Sequence, residues 1–420
     1  MKTFQPKLFE LFKSYSKKQF AADVVAGVIV AIIALPLSIA LAIASGVSPE
    51  RGLYTAIVAG FVIAALGGSR VNISGPTAAF AVTVAGVVAQ HGIDGLAIAT
   101  MMAGGILVLM GVLHLGSLIK FIPESITVGF TSGIAITIVI GQIKDFLGLT
   151  FAPGIHAVEA IEKLEAIAHS ISTFNPWALL TGVLALLILV LWPRVSRKIP
   201  ASLIAVLALT GLVALTGLSV CTIGDLYTIS ASFPAFAFPA FAWEKVIALI
   251  PSAITIAILA AIESLLSCVV SDKMIDDTHN SNTELIAQGA GNICSALFGG
   301  IPATGAIART AANVKNGGRS PVAGIVHALV LLLVLLILMP YAAWIPMPVI
   351  AAVLFLVAYN MSEWRHFVKI CKTAPLYDTL VLVLTFVLTV VFDLVVAIAV
   401  GMALHYAILL LRKLLAKPKS

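Results

Sequence analysis

Two stretches interrupt an otherwise apolar chain: Gly67–Ala79, reading GGSRVNISGPTAA, and Gly299–Ser320, reading GGIPATGAIARTAANVKNGGRS. In hydrocarbon an unpaired backbone N–H or C=O costs several kcal/mol, so non-helical backbone survives only where protein or water surrounds it. Each break therefore predicts a cavity, and Arg309 in the second predicts that something negative occupies it.

The surroundings of these breaks decide the class. Of 420 residues, 60% are hydrophobic and 10% are charged, well under the quarter expected of a soluble domain. Apolar runs recur from end to end, so the chain reads as an all-α polytopic membrane protein. A net charge of +6 fits the excess of Lys and Arg in cytoplasmic loops, and implies no nucleic-acid partner. Cys221, Cys268, Cys294 and Cys371 lack metal-ligand spacing and read as free thiols, with no metal site. The N-terminus lacks the pattern of a cleaved signal peptide.

Residues 1–22 form a basic amphipathic segment in which Lys7, Lys13, Lys17 and Lys18 alternate with Phe4, Phe9, Phe12 and Phe20, expected on the cytoplasmic leaflet. Residues 23–220 hold seven apolar segments. The first is broken by Pro36, the second ends at Gly67-Gly68, and the third is a short run from Pro76 to Gln90-His91. Others lie near Leu96–Leu115, Ile126–Leu147, Trp177–Leu191 and Ile199–Leu218, with a polar extramembrane connection from Thr150 to Asn175. Residues 221–244 connect the halves and carry an interfacial Phe/Pro/Ala run, Phe233–Phe241. Residues 245–414 hold seven more segments, and 415–420 form a basic tail.

Charge supports a count of about fourteen segments with both termini cytoplasmic. The loops after even-numbered segments hold Arg70, Lys120, Arg194, Arg197, Lys198, Lys273, Lys315, Arg319, Arg365, Lys369 and Lys372, joined on that side by Lys417 and Lys419. The alternate loops hold mainly Arg51 and Lys163.

The breaks fall at the third and tenth segments, which makes the chain two repeats of seven. Seven is odd, so the second repeat enters the membrane inverted. Matched interruptions in two inverted halves point to a transporter's binding site. Half-helices starting after Gly75-Pro76 and Gly300–Pro302 would aim N–H groups and positive dipole ends at an anion. Proline suits the first turn of such a helix, and Thr77 and Thr304 could add hydroxyl donors. The plainer alternative is that Gly and Pro only kink these helices; pairing at matched positions argues against it. Arg309, about two turns into the second half-helix, reads as fixed positive charge, since Lys315 and Arg319 reach a headgroup more easily.

Glu263, in IAILAAIESLLSCVV, is the other intramembrane ionisable group. It could take a coupling proton, pair with Arg309, or cap a neighbouring break. Ser264 and Ser267 flank it and could help hold a cation, although a sodium site is usually richer in oxygen ligands, so a proton is expected first. The remaining ionisable groups carry plainer readings. His91, His114, His156 and His169 read as solvated, His327 and His405 as packed or interfacial, Asp393 as a helix-start acid and Lys144-Asp145 as interfacial. No catalytic constellation is present, so no enzyme is expected.

The runs GVIVAIIALPLSIALAIASGVSPERGLYTA (Gly27–Ala56), GGSRVNISGPTAAF (Gly67–Phe80), GFTSGIAI (Gly129–Ile136), QIKDFLGL (Gln142–Leu149), AAIESLLSCVVSDKM (Ala260–Met274) and GGIPATGAIARTAANVKNGGRSP (Gly299–Pro321) resemble the SulP, or sulfate permease, family. The resemblance covers essentially the whole chain. It implies seven-plus-seven inverted repeats, with a core of segments one to four and eight to eleven and a gate of the rest. It implies substrate contacts at Thr77, Ala78, Ala79, Thr304, Gly305 and Ala306, an anion beside Arg309 and a coupling role at Glu263. Leu37 would wall the site from the first span where many members carry Glu or Gln. The chain also ends at Ser420 without the STAS domain that members usually carry.

Within the family the chain looks most like bacterial C4-dicarboxylate transporters. The expected function is proton-coupled symport of a small anion such as fumarate or succinate across the bacterial inner membrane. The alternatives are a sulfate or bicarbonate transporter, coupled to protons or sodium, and an anion exchanger or channel. The implied partners are the anion, the lipid bilayer and a second copy in a homodimer, with no cofactor beyond the coupling ion.

Overall fold

Backbone satisfied within each segment is the first requirement in lipid, and the chain meets it with helices. The computed structural model describes residues 4–13, 15–117, 123–152, 157, 159–196, 199–240, 242–392 and 394–415. Lys120, His156, Arg197, Lys198, Phe241, Asp393, Lys417 and Lys419 lie outside the described residues.

The first half contains α1 (Lys17–Ala44), α2 (Pro49–Leu66), α3 (Ala81–Val112), α4 (Glu124–Leu147), α5 (Ala160–Ser170), α6 (Pro176–Val195) and α7 (Ala201–Thr216). After the short α8 (Ile223–Leu226) come α9 (Trp243–Ile275), α10 (Ser281–Leu297), α11 (Ile307–Lys315), α12 (Val322–Leu338), α13 (Met347–Met361), α14 (Trp364–Thr373), α15 (Leu376–Val391) and α16 (Leu394–Leu415). With the connecting helices α5, α8 and α14 set aside, and α3 counted twice, the described residues supply fourteen membrane segments.

Helix α3 joins the third and fourth segments. No polar loop separates them at Gln90-His91; the chain turns at Gly92, whose φ of 69° and ψ of −171° suit a residue without Cβ. Helix α11 has 9 residues, a rise of about 14 Å, under half of a hydrocarbon core about 30 Å thick. It is a half-helix, as its sequence predicts.

Packing reveals the two repeats. Helix α3 lies against α9 and α10, while its counterpart α12 lies against α1 and α2. In the gate, α4 contacts α13 and α15, α6 contacts α13, and the terminal pairs α6–α7 and α15–α16 match. The core is the bundle of α1, α2, α3, α9, α10, α11 and α12.

Two connecting stretches are anchored to the core. The basic N-terminal segment is not continuous along a leaflet. Ser16 caps α1, and the preceding 3-10 helix Lys7–Lys13 docks on the core, with Lys7 N–H donating to Gly67 O at 2.9 Å. Glu10 and Asp277 pair with Lys7 and Arg70 there, so these cations are spent on acids within the protein. The Phe/Pro/Ala run is also anchored: Ala237 N–H donates to Leu297 O at 2.8 Å and the Phe236 ring meets Phe298 edge-on.

Candidate functional site

The two breaks pair with each other. Ser74-Gly75 and Thr304-Gly305 form a two-residue antiparallel ladder, Ser74 opposite Gly305 and Gly75 opposite Thr304. Both strands are buried at mid-core, where each would otherwise leave orphaned backbone groups. Extended backbone at this depth has to be paired, and each break supplies the other's partner.

This pairing moves the helix starts away from the prolines. The first half-helix begins with the turn Ala78–Phe80 that leads into α3, and α11 begins at Ile307, five residues beyond Pro302. Pro302 therefore lies in extended chain and not in a first helical turn. For the same reason Arg309 stands in the first turn of α11, not two turns in. A cation there opposes the helix dipole. The Arg309 Nη2 compensates by donating to Pro76 O across the ladder, while Nη1, also buried, has no hydrogen-bond partner among the described residues. A Cβ at Gly75 would lie 2.5 Å from Nη1, so the guanidinium reaches this position because residue 75 has no side chain.

Glu263, midway along α9, lies on the other side of Thr77. Thr77 Oγ1 donates to Glu263 Oε2 at 2.9 Å. Of the three roles the sequence left open, the contact present is the cap on a break; among the described residues Glu263 and Arg309 form no ion pair. No side chain caps the Ala78–Phe80 turn or α11, so their leading N–H groups stay open to an anion.

The other expected contributors divide. Ala78, Ala79, Gly305 and Ala306 lie at these helix starts. Thr304 is fully buried, and its hydroxyl is taken up by Ser264 Oγ at 2.7 Å and Ala260 O at 3.2 Å, so it is not a free donor. Ser264 and Ser267 do not face Glu263's environment as cation ligands. Ser264 accepts from Gly305 N–H at 3.0 Å, and Ser267 donates to Asn72 Oδ1 at 2.8 Å. Leu37 lies half-buried on α1, next to the buried Pro36.

Sequence reading missed the residues that hold the breaks. Glu284, fully buried on α10, accepts from Gly68 N–H at 2.9 Å, Ser69 N–H at 3.3 Å, Asn72 Nδ2 at 2.8 Å and Gln288 Nε2 at 2.9 Å. Asn292 pairs with both the N–H and C=O of Ala303, each at 2.9 Å, and Thr55 accepts from Ile301 N–H at 2.7 Å. Arg51, read as a loop cation, donates to Gly299 O at 2.7 Å. Asp23 ties the start of α1 to the end of the second break, accepting from Arg319 N–H at 2.7 Å and Ser320 Oγ at 2.5 Å. The available signal was amide and carboxyl side chains within or beside apolar spans, each a costly group that requires a partner.

A cavity of about 300 Å³ lies between core and gate, lined by Ala79, Thr83 and Gln90 of the first half-helix, Thr255 of α9, Thr137 of α4 and Thr389 of α15. It reaches the site at Ala79. A second cavity of about 400 Å³ shares Val82, Thr137 and Lys163 with it. The arrangement offers fixed positive charge, two open helix starts, a carboxyl group and a path from one face of the bundle.

Known proteins place this architecture. A family model described as "Sulfate permease family" matches residues 20–385. The chain belongs to that family. It is similar to the putative sulfate transporter YvdB of Bacillus subtilis, 44% identical over 89% of this chain and 71% of that protein. The bicarbonate transporter BicA of a Picosynechococcus strain is 34% identical over 87% of this chain and 67% of that protein. Among solved structures, the transmembrane domain of a cyanobacterial BicA superposes with a TM-score of 0.82 at 32% identity, over 91% of this chain and 98% of that domain. The sulfate permease fold accounts for the fourteen segments and the division into core and gate. This member is a multi-pass membrane anion transporter and not an enzyme.

Proposed function

We propose that this sulfate permease homologue is a secondary active transporter that binds one small anion between the starts of its two half-helices and couples its movement to a proton through Glu263. The observation that carries the reading is the arrangement around Thr77: its hydroxyl is on Glu263, and the carbonyl of the preceding Pro76 is on Arg309. Fixed positive charge and a carboxyl group thus meet at one break. A protonation change at Glu263 alters the acceptor that Thr77 sees and, through it, the start of the half-helix.

The substrate class follows from the chemistry. One guanidinium and two helix starts, each equivalent to roughly half a positive charge, suit a mono- or dianion. A C4-dicarboxylate such as fumarate or succinate is the first candidate, and the core would move against the gate to carry it. The names of YvdB and BicA favour sulfate or bicarbonate as the second. Positive charge on the even-numbered loops supports cytoplasmic termini in a bacterial inner membrane, and a homodimer is the assembly proposed.

The deciding experiment is uptake of labelled fumarate, succinate, sulfate, bicarbonate and chloride by purified protein in liposomes, with and without an imposed pH gradient. Fumarate or succinate uptake stimulated by an inward proton gradient supports the reading. Uptake indifferent to the gradient removes symport and leaves an exchanger or channel.

A further inference from the structure

Helix α5 crosses the end of the bundle where the two core–gate cavities meet. Its Lys163 lines both of them, together with Val82 of the first half-helix and Thr137 of α4. The ammonium lies over α4 at Gly141, where an added Cβ would sit 3.6 Å from Nζ. That is ordinary van der Waals distance, so the ammonium rests against the α4 backbone at this point.

The two glutamates beside it on α5 are engaged at the start of their own helix. Glu159 and Glu162 close a capping box at the start of α5, with Glu159 N–H donating to Glu162 Oε2 at 3.2 Å. Lys144 stands 4.9 Å from the centre of the Phe151 ring. Asp145 lines the second cavity and Glu159 the first. Among the described residues the Lys163 ammonium has neither a hydrogen bond nor an ion pair. Around it the first cavity presents the hydroxyls of Thr83 and Ser252 and the amide of Gln90, while Thr137, Thr255 and Thr389 also line it but donate their hydroxyls to carbonyls of their own helices. A half-buried cation that no ion pair holds, facing a cavity with these polar groups, is an arrangement that an oxyanion completes.

We propose that Lys163 forms a second, outer anion subsite, at which a small oxyanion (a carboxylate or sulfate-like group) is captured before it passes along the first half-helix to Arg309. The proposal rests on the anion-transport reading, but its chemistry can be tested without transport. Lysine suits capture better than tight binding, because its compact, strongly hydrated charge attracts an anion without fixing its orientation. The subsite serves only the face of the bundle that carries α5, so its influence on transport is one-sided.

Burial pulls the Lys163 ammonium below the usual lysine range, with Glu162 opposing, which makes it a good target for amine acylation. The full chain in detergent is treated with acetic anhydride, and labelling of each lysine is read by peptide mass spectrometry. Sulfate, fumarate and bicarbonate are compared with gluconate at matched ionic strength, and the exposed Lys245 serves as the internal control. At least one small oxyanion should slow labelling of Lys163 severalfold while Lys245 is unaffected, and the protection should persist in Arg309→Ala. Equal Lys163 labelling in every anion overturns the subsite.

In liposomes, Lys163→Gln should raise KM roughly threefold to fivefold for substrate added on the α5 side, with kcat retained and Lys163→Arg restoring KM. An unchanged KM removes the capture role. If the wild-type protein carries none of the anions yet Lys163 is protected, the transport reading fails and the subsite stands.

Discussion

Thr77 stands between the two charged groups of the core: its hydroxyl donates to Glu263 Oε2 at 2.9 Å, and Arg309 holds the carbonyl of the residue just before it. Neither charge needs the other as a direct partner. The ladder between Ser74-Gly75 and Thr304-Gly305 sets this spacing, because it fixes α11 against the first break before any side chain is placed.

Substituting Thr77 with Val keeps the shape and removes the hydroxyl. A hydrogen bond to a charged acceptor contributes about 1.5–3 kcal/mol, so the variant should lose coupling before it loses the fold. Proton-driven accumulation should fall roughly tenfold or more, in folded protein whose melting temperature is lowered by the loss of this one contact. Accumulation equal to wild type would show that the Thr77–Glu263 contact is incidental.

Glu263→Gln tests the carboxyl itself. The amide can still accept from Thr77 but cannot take up a proton. Counterflow, in which internal unlabelled anion exchanges for external label, should continue in this variant while accumulation against a gradient stops. Retained pH-driven accumulation would exclude Glu263 as the coupling group.

Arg309→Ala should weaken anion binding by roughly tenfold to a hundredfold, the worth of one or two charge-assisted hydrogen bonds. Gly75→Ala should approach the same phenotype from the opposite strand, since its methyl would stand 2.5 Å from Arg309 Nη1 and force the guanidinium aside. Calorimetric titration of purified protein reads both effects. Wild-type affinity in Gly75→Ala would mean that the site tolerates a displaced guanidinium.

The breaks were legible from sequence because glycine, proline and arginine are costly in hydrocarbon and occurred at matched positions in two halves. Their mutual pairing was not legible, since two-residue strands carry no periodicity. Without the ladder, Pro76 and Pro302 read as helix starts, which sets Arg309 a turn too deep in α11. Glu284 was overlooked for a different reason. In SNTELIAQG it reads as an acid complementing the first turn of α10, the ordinary place for one on a solvated helix. Only the fold shows that Gly68, Ser69 and Asn72 arrive at its carboxylate from more than two hundred residues away in sequence.

That carboxylate yields the last prediction. Glu284 is fully buried, and its four hydrogen-bond donors are all neutral. Its negative charge is held by amide dipoles, two of them main-chain groups of the first break. Glu284→Gln keeps the volume but replaces one acceptor oxygen with an NH2 group that faces other donors. At least one of the four N–H groups then loses its acceptor in a site closed to water. The cost should be on the order of 2–4 kcal/mol, several times that of a change at an exposed position. Because Glu284 touches neither Arg309 nor Glu263, the loss should appear in stability before it appears in ion coupling. Thermal unfolding in detergent should show a clearly lowered melting temperature, while the surviving folded protein keeps its proton dependence. A variant as stable as wild type would mean that the ladder and the contacts from α11 hold the first break without Glu284.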